Sequence, residues 1–63
     1  MSTNISGYQV QDEMPERVMA MDGIENLADH RETLEDALAA NRMVSIMWNK
    51  TPFGLYIEDI AII

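Results

Sequence analysis

Val44-Ser45-Ile46-Met47-Trp48-Asn49-Lys50-Thr51-Pro52-Phe53-Gly54-Leu55-Tyr56-Ile57 is the stretch on which the fold turns. Val44, Ile46 and Trp48 alternate with Ser45, Met47 and Asn49, the period-2 pattern of a strand with one buried face. Thr51-Pro52-Phe53-Gly54 then sets proline at the second and glycine at the fourth position of a type I turn. Leu55 and Ile57 resume the inward parity, so the segment predicts a C-terminal antiparallel β-hairpin. Ile60 and Ile62 have the opposite parity, which places one extra residue, a β-bulge, at Glu58-Asp59.

Upstream the period lengthens. Asp22, Glu25, Asp29, Glu32 and Asp36 recur at steps of three and four, which on one continuous helix puts all five carboxylates on one side. Ile24, Leu27, Leu34 and Leu38 would then line the other side, giving an amphipathic acidic helix. Two features argue against continuity. Arg31 would fall in the middle of the apolar side, and Asp22, Asp29 and Thr33 each precede an acid by three residues, so each could begin a helix of its own. The alternative is a turn near residues 29–31 and a firm helix only from Leu34 to Asn41, with Asn41 as its cap.

Nearer the N-terminus, Tyr8-Gln9-Val10-Gln11 alternates as a half-buried edge strand would. Pro15 suits the first position of a helix carrying Met14, Val18 and Met21 on one face. The competing pattern makes Arg17 to Met21 a strand paired with Tyr8 to Gln11. Residues 1–7 are small and polar and read as a flexible lead-in. The expected fold is therefore α+β, one small domain over residues 8–63, with a short N-terminal strand or helix, the acidic helix and the C-terminal hairpin.

A chain of 63 residues without cysteine can bury only about 60% of its unfolded surface and has no disulfide to compensate. Packing or a partner chain must stabilise it. The N-terminal residues carry neither the basic nor the apolar region of a secretory signal, and no apolar run approaches the ~20 residues of a membrane span. A cytoplasmic location is expected.

The net charge is −7, and it arises wholly from residues 12–36, where nine acids face Arg17 and Arg31. Residues 37–63 balance at zero. Four scattered cations give little hold on phosphate, so direct nucleic-acid binding and anionic membrane binding are both disfavoured. The complementary partner is a protein with a basic surface.

No motif for catalysis stands out. His30 is the only histidine and the serines and threonines have no other base near neutral pH. Asp12-Glu13, Glu35-Asp36 and Glu58-Asp59 are paired carboxylates, but a chain this short has little room for a cleft between acid and base. No metal-ligand spacing, phosphate loop or cofactor motif is present, so no enzyme activity, metal or cofactor is expected. Met19, Met21, Met43 and Met47 read as core filler sooner than as an adaptable binding surface.

The acidic row admits two readings. It serves as the solvated face of a helix, or it is held uncompensated for a partner, since a merely soluble face usually mixes signs at i, i+4. The second reading makes the chain a small non-catalytic protein-binding module. In size and acidity it resembles phage-type inhibitors or DNA mimics, with Asp22, Glu25, Asp29, Glu32 and Asp36 meeting a basic groove of a nucleic-acid-handling protein. Trp48, Phe53 and Tyr56 would add apolar contact. The alternative function is a homo-oligomeric assembly protein that pairs through its apolar hairpin.

Overall fold

The computed structural model describes residues 8–63, so the expected lead-in over residues 1–7 lies outside the described residues. β1 (Tyr8–Glu13), α1 (Pro15–Met19), a 3₁₀ turn (Leu27–His30), α2 (Arg31–Ala39), β2 (Val44–Thr51) and β3 (Gly54–Ile62) follow in that order. The three strands form one antiparallel sheet in the order β1-β2-β3, and the helices pack on one of its faces. The class is α+β.

β2 is the central strand. Its alternation drives Val44, Ile46 and Trp48 into the core, where they meet Val18 of α1, Leu34 and Ala37 of α2, and Ile57 of β3. Met19, Ile24, Leu27, Leu55 and Ile60 pack around this cluster. Opposite β2, the register of β3 steps from Met47↔Asp59 to Trp48↔Ile57, which leaves Glu58 as the extra residue of a bulge. That step returns Ile60 and Ile62 to the side of the sheet used by Ile57.

In the N-terminal half the structure decides between the two patterns for residues 15–21 in favour of the helix and corrects the expectation for β1. Arg17 to Met21 is not a strand beside β1: Pro15 starts a short helix whose Val18 is fully buried, and β1 pairs with β2 instead. Nor is Val10 half-buried; it is 63% exposed. The pairs Gln9↔Trp48 and Gln11↔Ile46 give the core-side parity to the glutamines, and Val10 lies opposite Met47 on the face that the helices leave open. α2 and the 3₁₀ turn make their main sheet contacts with β3.

A continuous acidic helix over residues 22–36 is also absent. Residues 22–26 leave helical geometry because they are tied to the outer edge of β3. Leu55 N–H donates to the Gly23 carbonyl and Glu25 N–H to the Leu55 carbonyl, both at 2.8 Å, around a parallel bridge between Ile24 and Leu55. One pair further on, a side chain replaces the strand. Asn26 accepts from Ile57 N–H at 2.8 Å and donates from Nδ2 to the Ile57 carbonyl at 2.9 Å, so one amide satisfies both backbone groups that an edge residue would leave open. Helical geometry begins only at Leu27, first as 3₁₀ and from Arg31 as α.

α2 ends where Asn41 adopts a left-handed conformation, φ +57°. Asn41 and Arg42 then donate to the carbonyls of Leu38 and Ala37, at 3.1 and 2.9 Å, the paired bonds of a Schellman motif. Gly54 answers a tighter constraint. Its φ is +140°, and a Cβ there would stand 2.3 Å from the Gly23 carbonyl oxygen, so the approach of Gly23 to Leu55 depends on a residue without a side chain.

Two substitutions test this lateral connection. Asn26→Ala leaves the buried Ile57 N–H and C=O unpaired and should cost about 2–4 kcal/mol in urea denaturation. Gly54→Ala should cost about 3 kcal/mol, from backbone strain and the clash together. A loss under about 0.5 kcal/mol for either, within the noise of ordinary surface substitutions, would show that the connection does not hold the fold.

A candidate acidic interaction surface

The fold sorts the charge by layer. Residues 15–39, from α1 through α2, hold Glu16, Asp22, Glu25, Asp29, Glu32, Glu35 and Asp36 against Arg17 and Arg31, seven acids to two bases, or −5. All seven carboxylate residues are exposed. The sheet and the loop leading to it hold Asp12, Glu13, Glu58 and Asp59 against Arg42 and Lys50, or −2. On α1 and α2 the acids Glu16, Glu32, Glu35 and Asp36 sit outward because Val18, Leu34 and Ala37 occupy the inward positions of the same short helices.

The five acids singled out from the sequence do not share one helix. Glu32 and Asp36 lie one turn apart on α2, which places them about 6 Å apart along its axis. Asp29 lies in the 3₁₀ turn just before. Asp22 and Glu25 stand in the segment bound to β3, and Glu25 has a local task. Its carboxylate accepts from the Thr51 hydroxyl, which in turn accepts from Phe53 N–H at 3.1 Å and lies 3.2 Å from the Gly54 carbonyl. Glu25 thus braces the β2–β3 turn against the helical layer.

The three aromatic residues point to three different places. Trp48 is a correction: at 5% exposure it belongs to the core, in keeping with its shared parity with Val44 and Ile46, and it cannot touch a partner. Phe53 stands at the tip of the β2–β3 turn, 84% exposed. Tyr56 lies opposite Asn49 on the open face of the sheet, where Asn49 Nδ2 donates to Glu58 at 3.0 Å. Trp48, Phe53 and Tyr56 do not form one aromatic cluster. Of the methionines, Met19 packs at the core margin while Met14, Met21, Met43 and Met47 are exposed, so the reading of Met21, Met43 and Met47 as core filler does not hold.

Asn26 is the residue that sequence reasoning missed. It is an isolated asparagine between an acid and a leucine, and its task depends on Ile57, thirty-one positions away. No local pattern could reveal it. Among the described residues no group of three or more His, Cys, Asp or Glu side chains is arranged to hold a metal ion. A hollow of about 80 Å³ opens between Met14, Leu38, Arg42 and Met43, well short of the ~300 Å³ where small-molecule sites begin. A second, lined by Glu13, Arg17, Ala20 and Met21, measures about 380 Å³ but lies open to solvent. No helix among the described residues is long and apolar enough to cross a membrane.

Substitution separates the core aromatic from the displayed one. Trp48→Ala should lower stability by about 3–5 kcal/mol, while Phe53→Ala should stay within about 0.5 kcal/mol of the parent. Thermal or denaturant unfolding of both variants checks the assignment, and a large loss at Phe53 would overturn it. No protein-family model, curated protein or solved structure matches the chain.

Proposed function

We propose that the chain is a small non-catalytic protein-binding module that presents its helical layer to a basic surface of another protein. The observation that carries this reading is the sorting of charge. Seven exposed carboxylates lie between the start of α1 and the end of α2 against two arginines, a field that would steer a basic partner and repel an acidic one. Asp29, Glu32 and Asp36 are its centre, because they share the 3₁₀ turn and α2, whereas Glu25 is engaged with Thr51 and Asp22 precedes both helical elements. A partner that handles nucleic acid would make the chain an inhibitor that competes for a phosphate-binding groove. That form of the reading rests on the short row Asp29-Glu32-Asp36, since the five-residue row is not carried by one helix.

Capture of partners from the native host's lysate tests the proposal when the charge is moved by design. Reversal of Asp29, Glu32 and Asp36 to lysine should reduce retention of a basic partner more than tenfold, and raising the salt should weaken it in the parent. Reversal of Asp12 and Asp59 on the sheet should leave retention nearly intact. Equal losses from both sets, or retention indifferent to salt, would rule out docking through the helical layer.

A further inference from the structure

The outer edge of β3 is closed along one half and open along the other. Leu55 and Ile57 direct their backbone groups outward, and Gly23, Glu25 and the Asn26 amide occupy them. The bulge at Glu58 then shifts the alternation by one residue. Ile63 N–H donates inward to the Met43 carbonyl at 2.9 Å, so Ala61 and Asp59 also face β2, while Ile60 and Ile62 turn their N–H and C=O groups outward. Among the described residues no hydrogen bond is made to those outward groups of Ile60 and Ile62.

We propose that this open half-edge pairs antiparallel with the same edge of a second copy, about a twofold axis at Ala61, to give a continuous six-stranded sheet. In that register Ile60 lies opposite Ile62 of the second copy, and Ile62 opposite its Ile60. Both are hydrogen-bonded pairs, so four main-chain hydrogen bonds form and every outward group of the two isoleucines is used. Ala61 meets its own copy at the axis, where antiparallel Cα atoms approach to about 4.5 Å and a small side chain fits. Asp59 faces Ile63, and the two Asp59 carboxylates stand four residues apart along the strand, or about 13 Å. No like charges oppose each other.

The choice of a second copy over other occupants rests on the contrast between the sheet's two edges. β1 carries Asp12 and Glu13 on its length and is followed by Pro15, the devices that discourage edge pairing. Ile60, Ala61 and Ile62 at the end of β3 and Ile63 just after it include no lysine, proline or acid, and Ile62 and Ile63 are 40% and 46% exposed. The seven-residue core is small for a chain without disulfides, which leaves stabilisation to be drawn from a partner. Five residues per strand bury less than the ~800 Å² per partner of a standard interface, so the dimer exchanges with monomer and does not persist at all dilutions. The Gly23–Asn26 segment fixes where pairing stops, since it holds the edge from Ile57 back to Leu55.

Sedimentation equilibrium from micromolar to millimolar concentration should show the 7.2 kDa chain shifting toward twice its mass. Added salt should strengthen the shift, because it screens the repulsion between two chains of −7. This is opposite in sign to the salt response of a basic partner, so the two readings fail separately. Ile62→Lys and Ile62→Pro should each weaken dimerisation by about tenfold or more, the proline because it removes an outward donor without touching a bond to β2. Amide exchange of the parent chain guards against variants that do not fold. Ile60 and Ile62 amides should gain protection as concentration rises, whereas Ile57, already bonded to Asn26, should be protected throughout. A mass that stays monomeric, an association weakened by salt, folded variants that dimerise like the parent, or protection gained instead at Val10 or Tyr56 would each overturn the proposal.

Discussion

The paired hydrogen bonds between the Asn26 amide and Ile57 are the interaction on which the rest of the architecture depends. They end the strand-like run of Gly23–Glu25 and seal the buried half of β3. They also fix the point from which the chain turns up over the sheet as the 3₁₀ turn and α2. A side-chain amide can do this because it copies the donor and acceptor of a peptide group. Without it, the linker between α1 and α2 has no reason to lie along β3, and Leu27 and Leu34 lose the anchorage that delivers them to the core. The thinness of that core makes the dependence severe, since a domain of this size retains only about 3–5 kcal/mol of net stability.

Much of the sheet is legible in the sequence because a strand's pattern is local. Val44, Ile46 and Trp48 announce a buried face by alternation alone, and all three are buried. The change of parity at Ile60 and Ile62 announces the extra residue that the register leaves at Glu58. The same parity already opposed a surface role for Trp48. The end of α2 is legible from its good helix formers and from Asn41, whose left-handed conformation stops it, but the helix runs from Arg31 to Ala39 and so starts a turn before the expected Leu34.

What was not legible is set by tertiary contacts. The steps of three and four from Asp22 to Asp36 fit a helix, yet residues 22–26 gain more from the edge of β3 than an isolated first helical turn would give them. Val10 shows a related limit. Alternation establishes that one side of a strand is apolar, but the side that meets the core is decided by the register with β2, and here the apolar side of β1 faces away from the helices. The candidate acidic surface shifts accordingly, from a line on one helix to a layer formed by several short elements. Its charge is a property of where the core residues sit, because each buried Val18, Leu34 or Ala37 leaves its acidic neighbours on the outside.

The order of the strands also carries a kinetic asymmetry. β3 reaches β2 across a two-residue turn, whereas Glu13 reaches Val44 only after thirty intervening residues have been looped out. Loop-closure entropy makes the second pairing costlier by about 2 kcal/mol, and little is gained in return, because β1 brings polar residues to the core-side parity. β2 and β3 with their lateral Asn26 connection form the unit that can assemble early, and β1 docks on it afterwards. The strand that completes the sheet is by the same reasoning the one expected to open first, which would expose the far edge of β2 before the core unfolds.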